Sequence, residues 1–233
     1  MIVTISQPRY LPWLGYFHRV AVSDLFIYLD TVQYTPRDWE NSYKVKTDRG
    51  WTWSTVPVKA AYRALIPEVK VDNEQAWQDK HWKTIQTYYG GAPYFHEYSR
   101  ELSALYNGKS WFRLTDLNQQ YAKLMCNFLG LKATQFMRAS EMTASGKGSQ
   151  LILDLCKEVG ATVYLSGAEG QNYLDELAFR DAGIQIIYQR YNHPIYPQRY
   201  GQFEPYMGVI DLLFNCGDRS SKTIMDGQSR IRS

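Results

Sequence analysis

Apolar positions come in short runs separated by polar, aromatic-rich loops. Ile2-Val3-Thr4-Ile5-Ser6 opens the chain, and a second run, Leu25 to Leu29, ends in Asp30. Between them lie a Pro-stiffened loop, from Gln7 to Trp13, and a short helix. Apolar strand, loop, short helix and apolar strand predict a parallel βαβ unit. Trp51 to Val58 alternates and is β-rich, and Glu68 to Val71 reads as another short strand. Gly50 and Lys44-x-Lys46 suggest a hairpin-like excursion. The pattern then becomes helical: residues 74–89 up to Gly90-Gly91, residues 94–106 up to Asn107-Gly108, and a third stretch capped by Ser110. In the third, Leu114, Leu117, Tyr121, Leu124, Met125 and Phe128 recur at helical spacing up to Gly130.

The α/β rhythm returns with a strand at 134–138, a helix from 150 stopped at Gly160 and a strand at 162–165 ending in Ser166-Gly167. A helix at about 171–181 and a strand at 184–188 follow. A loop-rich stretch from Tyr191 closes with an apolar helix from about Met207 to Phe214. The expected fold is α/β, a mainly parallel twisted sheet flanked by helices with a helical subdomain inserted in the middle. The expected division is 1–72 as the first half of the core with its β-rich excursion and 73–131 as the helical subdomain. Residues 132–217 then form the second half of the core, and 218–233 a frayed polar tail.

The 233 residues carry a formal net charge of +3, too mild to argue for nucleic acid. No apolar run approaches the roughly 18 residues needed to span a bilayer. The amino terminus begins with a strand and has no basic leader region, so a cytoplasmic protein is expected. Cys126, Cys156 and Cys216 are widely spaced, which predicts reduced thiols. His18, His81, His96 and His193 form no ligand pattern, so no metal is expected. The outlier is aromatic content: 19 Tyr and 7 Trp. Their apolar bodies and polar tips suit sugar, nucleotide or partner surfaces, and equally a Tyr-rich core.

Ligands of parallel sheets bind at the carboxyl ends of strands. The first such loop offers Gln7, Tyr10 and Gly15, with His18 and Arg19 in the helix behind it; His18 reads either as a phosphate ligand or as a satisfied, partly buried histidine. The strand, loop and Gly15 resemble a nucleotidyltransferase-type (Rossmann-like) domain. Pro12-Trp13-Leu14-Gly15-Tyr16 keeps the glycine of the HxGH loop and lacks both histidines. The second loop carries Asp30, Gln33, Tyr34, Arg37, Asp38, Trp39, Asn41 and Lys44, where Arg and Lys fit phosphates and Asp30 fits a base or a ribose ligand. It also reads as a solvated, salt-bridged loop. Ser145-Gly146-Lys147-Gly148-Ser149 fails the Walker pattern. Ser166 and Gly167 fall on the same sheet edge. Tyr191, His193, Tyr196 and Gln198 form a rigid aromatic loop whose histidine reads as a base or as a brace.

Ile5-Ser6-Gln7-Pro8-x-Tyr10-Leu11-Pro12-Trp13-x-Gly15-Tyr16-Phe17, Asp30-x-Val32-Gln33-Tyr34, Arg37-Asp38-Trp39-x-Asn41 and Tyr164-Leu165-Ser166-Gly167 resemble the motifs of the WbqC-like protein family. So do Tyr191-x-His193-Pro194-x-Tyr196-x-Gln198 and Ile210-Asp211-Leu212-Leu213-Phe214-Asn215-x-Gly217. Ser42-Tyr43 departs from the family's more basic run. The resemblance implies a bacterial O-antigen or surface-polysaccharide setting, with acyl or aminoacyl (glycyl) transfer to an amino sugar on a nucleotide-linked sugar. In that reading His18, Arg37 and Lys44 hold phosphates, Asp30 or His193 takes the amine proton, and Tyr34, Trp39 and Tyr196 shape the sugar pocket. An ATP-dependent adenylating enzyme and a non-catalytic nucleotide-sugar binding protein fit the same residues. The cofactor, ATP or an acyl donor, and the oligomeric state stay open.

Overall fold

Residues 1–227 are described by a computed structural model. In chain order, β1 (Ile2–Ser6), α1 (Leu14–Ala21) and β2 (Leu25–Tyr28) form the opening unit. The hairpin β3 (Ser42–Thr47) and β4 (Gly50–Thr55) follows, then the two-residue strands β5 (Val58–Lys59) and β6 (Lys70–Val71). Helices α2 (Trp77–Tyr89), α3 (Phe95–Asn107) and α4 (Leu114–Phe128) lead to β7 (Gln135–Arg138). After these come α5 (Gly148–Glu158), β8 (Val163–Ser166), α6 (Glu176–Asp181), β9 (Gln185–Tyr188), α7 (Val209–Cys216) and α8 (Ser220–Asp226).

The central sheet runs β7-β2-β1-β8-β9 with every neighbour parallel. Period-two alternation sends its side chains to two cores. Val3, Ile5, Leu25 and Ile27 face the cluster holding α5 and Phe179. Phe26 and Tyr28 face the other, which gathers α1, the hairpin, the three middle helices and α7. Helices therefore cover both faces of the sheet, as expected of an α/β fold. Each fully buried side chain such as Phe17, Phe26 or Leu213 is worth about 1.5–3 kcal/mol.

Three expected elements differ. The helix expected at 171–181 is a 3-10 turn, Ala168–Asn172, and then α6, because the Asp175 carboxylate accepts from Ala178 N–H (3.1 Å) and starts a new helix. The strand expected at 68–71 is shortened to β6, because Glu68 closes a Pro67-containing 3-10 turn, Ile66–Glu68. The expected tail is helical through Asp226: Ser220 and Ile224 are buried, which draws α8 onto the core. The remainder of that tail lies outside the described residues. Among the described residues no helix is long and apolar enough to cross a membrane, and no group of three His, Cys, Asp or Glu could hold a metal ion.

Candidate functional site

Starting from β1, the chain winds outward through β2 to β7, then crosses back to β8 and continues to β9. The winding therefore reverses between β1 and β8, and their outgoing loops part there. A crevice at the carboxyl ends of the strands follows from that topology. A cleft of about 690 Å³ occupies it. Its floor is Ser6 at the end of β1 with Gln7 and Arg9 beyond it, and Ser166 at the end of β8 with Gly167 beyond it. Trp13, Tyr16 and Arg19 come from α1 and its approach, Glu169 and Tyr173 from the 3-10 turn region, and Tyr191 and Tyr206 from the loop after β9.

Two guanidinium groups dominate the cleft's electrostatics. Burial, then the like charge of Arg9, lowers the pKa of Arg19. Arg19 donates from Nη2 to Ser6 Oγ (3.3 Å) and lies 5.9 Å from the Tyr16 ring centroid. The Nε atoms of both Arg9 and Arg19 are buried with no hydrogen-bond partner, and neither residue forms an ion pair among the described residues. Two half-buried guanidinium groups with no carboxylate within ion-pair distance leave strong donors for an anion, and the guanidinium fork matches phosphate. Gly167 lies against Arg19: a Cβ there would stand 3.7 Å from Arg19 Nη1, ordinary van der Waals contact.

Sequence reasoning named Arg19 beside His18 but missed its partner Arg9 and the buttress Gln189. The available signal was the position of Arg9 three residues past β1, with Tyr16 and Arg19 one helical turn apart on a shared face. Gln189 is buried at the end of β9. Its side chain donates to Gly15 O (2.9 Å) and His18 Nδ1 (3.0 Å), while its backbone N–H donates to Ser166 O (2.8 Å). Gln189 thus ties β9 to α1 through its carboxamide and to β8 through its backbone, behind the cleft.

The expected residues divide sharply. Gln7, Ser166, Gly167 and Tyr191 line the cleft. His18 does not: it is buried in the last turn of α1, where burial and Arg19 hold its pKa down, so it supports the wall rather than holding a phosphate. Gly15 lies under the Trp13 ring and gives its carbonyl to Gln189. Tyr10 is fully buried, its hydroxyl bonded to Tyr106 (2.7 Å) and His81 Nδ1 (3.1 Å); it is a core residue. Asp30 accepts from Ser140 N–H (2.9 Å) and Oγ (2.7 Å), which spends its carboxylate on anchoring the loop after β7.

His193 is committed as well. Its Nε2 accepts from Tyr206 N–H (3.1 Å), which places its proton on Nδ1 facing Pro194 O (2.9 Å). It therefore braces the loop and has no free lone pair to act as a base. Tyr196 and Gln198 turn inward to buried Asp211 (2.8 and 2.9 Å), whose carboxyl is pushed up to about 6 by burial. Asn41 is buried and donates to Val56 O (2.9 Å). Gln33 pairs with Leu65, Tyr34 is buried, and Arg37 is exposed at a positive φ of 63°. Asp38 caps its neighbour, accepting from Trp39 N–H (2.7 Å). Trp39 and Lys44 belong to a tryptophan cluster on the hairpin, and neither lines the cleft.

The chain is 35% identical over 218 residues to an uncharacterized protein of Mycobacterium tuberculosis, covering 92% of this chain and 94% of the relative. No solved structure matches it. The family model described as the WbqC-like protein family matches residues 7–223. That span takes in Arg9, Arg19, Ser166, Gly167 and Gln189, the elements that build the cleft, and the chain belongs to the WbqC-like protein family.

Proposed function

We propose that this chain is a group-transfer enzyme acting on a nucleotide-linked amino sugar in surface-polysaccharide biosynthesis. The observation that carries the reading is the unpaired Arg9 and Arg19 couple at the sheet's point of reversal. Phosphates bound there receive two forks of donors, and Trp13, Tyr16, Tyr173 and Tyr206 supply amphipathic walls for the base and sugar. The polysaccharide setting comes from the family resemblance. Transfer joins the sugar amine to the carbonyl of an activated acyl ester or thioester, expels the donor's leaving group and releases one amine proton. Glu169, the carboxylate among the lining residues, is placed to take that proton; Asn172 Nδ2 orients it from 2.8 Å.

A thermal-shift screen across nucleotide sugars tests this, since a ligand at a hundred times its Kd adds about 2.7 kcal/mol of stability. A hydrogen bond to a charged group is worth about 1.5–3 kcal/mol. Arg19→Ala and Arg9→Ala are therefore each expected to weaken binding about 10- to 150-fold with unchanged circular dichroism. Equal binding in both variants refutes the placement. Pyrophosphate release from ATP and glycine would refute simple transfer in favour of acid activation.

A further inference from the structure

The β3–β4 hairpin carries a second, separate array. Its register pairs Lys44 with Trp53 and Lys46 with Trp51, so all four residues belong to one face. Lys46 is buried, its ammonium donating to Gln202 O, whereas Trp51 and Trp53 remain 41% and 43% exposed. The Lys44 ammonium sits 4.0 Å from the Trp51 ring centroid, 5.6 Å from Trp53 and 6.0 Å from Trp39. Among the described residues it has no carboxylate within ion-pair distance.

We propose that this face is a glycan platform that takes an acidic sugar chain. Solvent exposure of two indoles side by side is unfavourable unless something stacks on them. The Trp51 and Trp53 planes cross at 87° with centroids 5.7 Å apart, and Trp39 meets Trp53 at 74° and 5.1 Å. Perpendicular walls cannot sandwich a flat base. They suit a puckered pyranose, whose C–H groups meet one ring by its face and the other by its edge. The ammonium between them, held by cation–π contact with Trp51 and without a carboxylate partner, selects a carboxylate or phosphate on the sugar.

The platform adjoins the cleft through the backbone: Trp39 O accepts from Tyr10 N–H (3.1 Å), and Lys44 O accepts from Gly208 N–H (2.9 Å), two residues after cleft-lining Tyr206. The class of ligand rests on the sugar reading above, whereas the array itself is independent of the cleft.

Affinity electrophoresis of the whole chain in native gels containing polygalacturonate, dextran or polyglutamate tests the platform. Polygalacturonate is expected to retard the protein more than dextran does. Trp51→Ala and Trp53→Ala are each expected to weaken that retardation about tenfold, equivalent to one stacking contact. Lys44→Gln is expected to abolish the preference over dextran. Both tryptophan variants keep the wild-type circular dichroism and the wild-type response to nucleotide sugars. Three results overturn the proposal: no retardation by polygalacturonate, retardation unaffected by the tryptophan variants, or equal retardation by polyglutamate. Polygalacturonate binding without any response to nucleotide sugars supports the platform and counts only against the cleft reading.

Discussion

Glu40 offers a measurable test of the packing behind the cleft. It is 1% exposed, and its carboxyl oxygens have no hydrogen-bond partner. Burial pushes its pKa from 4.5 up to about 8, with the charge of Asp38 adding to the rise and that of Arg9 opposing it. In the folded chain the group therefore holds its proton across a range where the unfolded chain has released it. The folded state binds about one more proton there, so stability falls as pH rises, by about 1.4 kcal/mol per pH unit. Between pH 5 and pH 8 the loss from this one group amounts to about 3–4 kcal/mol, since the slope flattens near the folded pKa. Urea unfolding of wild type and Glu40→Gln at several pH values reads this loss. Asp211 (about 6) adds a loss of the same sign at lower pH and His81 (about 4) one of opposite sign, but both are common to the two proteins and cancel in the comparison. The difference curve should favour Glu40→Gln increasingly with pH. Parallel curves would refute a proton held on Glu40.

Gly15→Ala would place a Cβ 2.2 Å from the Trp13 ring, so a loss of about 1–3 kcal/mol in chemical unfolding and a lower Tm are expected. Tyr10→Phe strands His81 and Tyr106 in the core and should cost about 1–3 kcal/mol, with nucleotide-sugar affinity unchanged in a thermal-shift titration. Asp30→Ala removes both Ser140 contacts; faster backbone hydrogen exchange at residues 139–142 is expected, again without loss of ligand affinity.

Strands announced themselves through largely apolar, β-branched runs, as at 2–6 and 25–28, because a strand covered on both faces leaves little polar alternation to confuse with a helix. The site was harder to read. Tyr10, Tyr196 and Asn41 carry polar tips that a sequence cannot distinguish from ligand contacts; only the fold supplies their partners, from as far away as Tyr106 and Asp211. Asp30 sits at a strand end, where the topology puts catalytic groups, yet a serine 110 residues later satisfies it. Arginines are common on surfaces, so the local pattern gives the positions of Arg9 and Arg19 beside β1 and Tyr16 but not their lack of an ion-pair partner. Their significance depends on β8 and the loop after β9 closing over them, a non-local fact. Of the opening loop, Gln7 and Arg9 line the cleft, whereas Tyr10 and Gly15 turn into the core and the helix packing.

The pairing of β1 with β8 also fixes when the cleft comes into being. Ile2 aligns with Val163, and Thr4 Oγ1 reaches Leu165 O across 161 residues. On a ribosome, β1 and β2 emerge early, but the strand that supplies the cleft's opposite wall is made only after all three middle helices. Until then one edge of β1 is unpaired and the arginines face solvent. Such distant parallel pairing closes slowly and leaves an open edge that invites association. An anion that bridges the two loops would bind only the closed form, so it would act as a clamp on the last-formed seam of the sheet. Such a ligand, added during refolding, should therefore raise the yield of native chain, and the cleft would double as a sensor of completed folding.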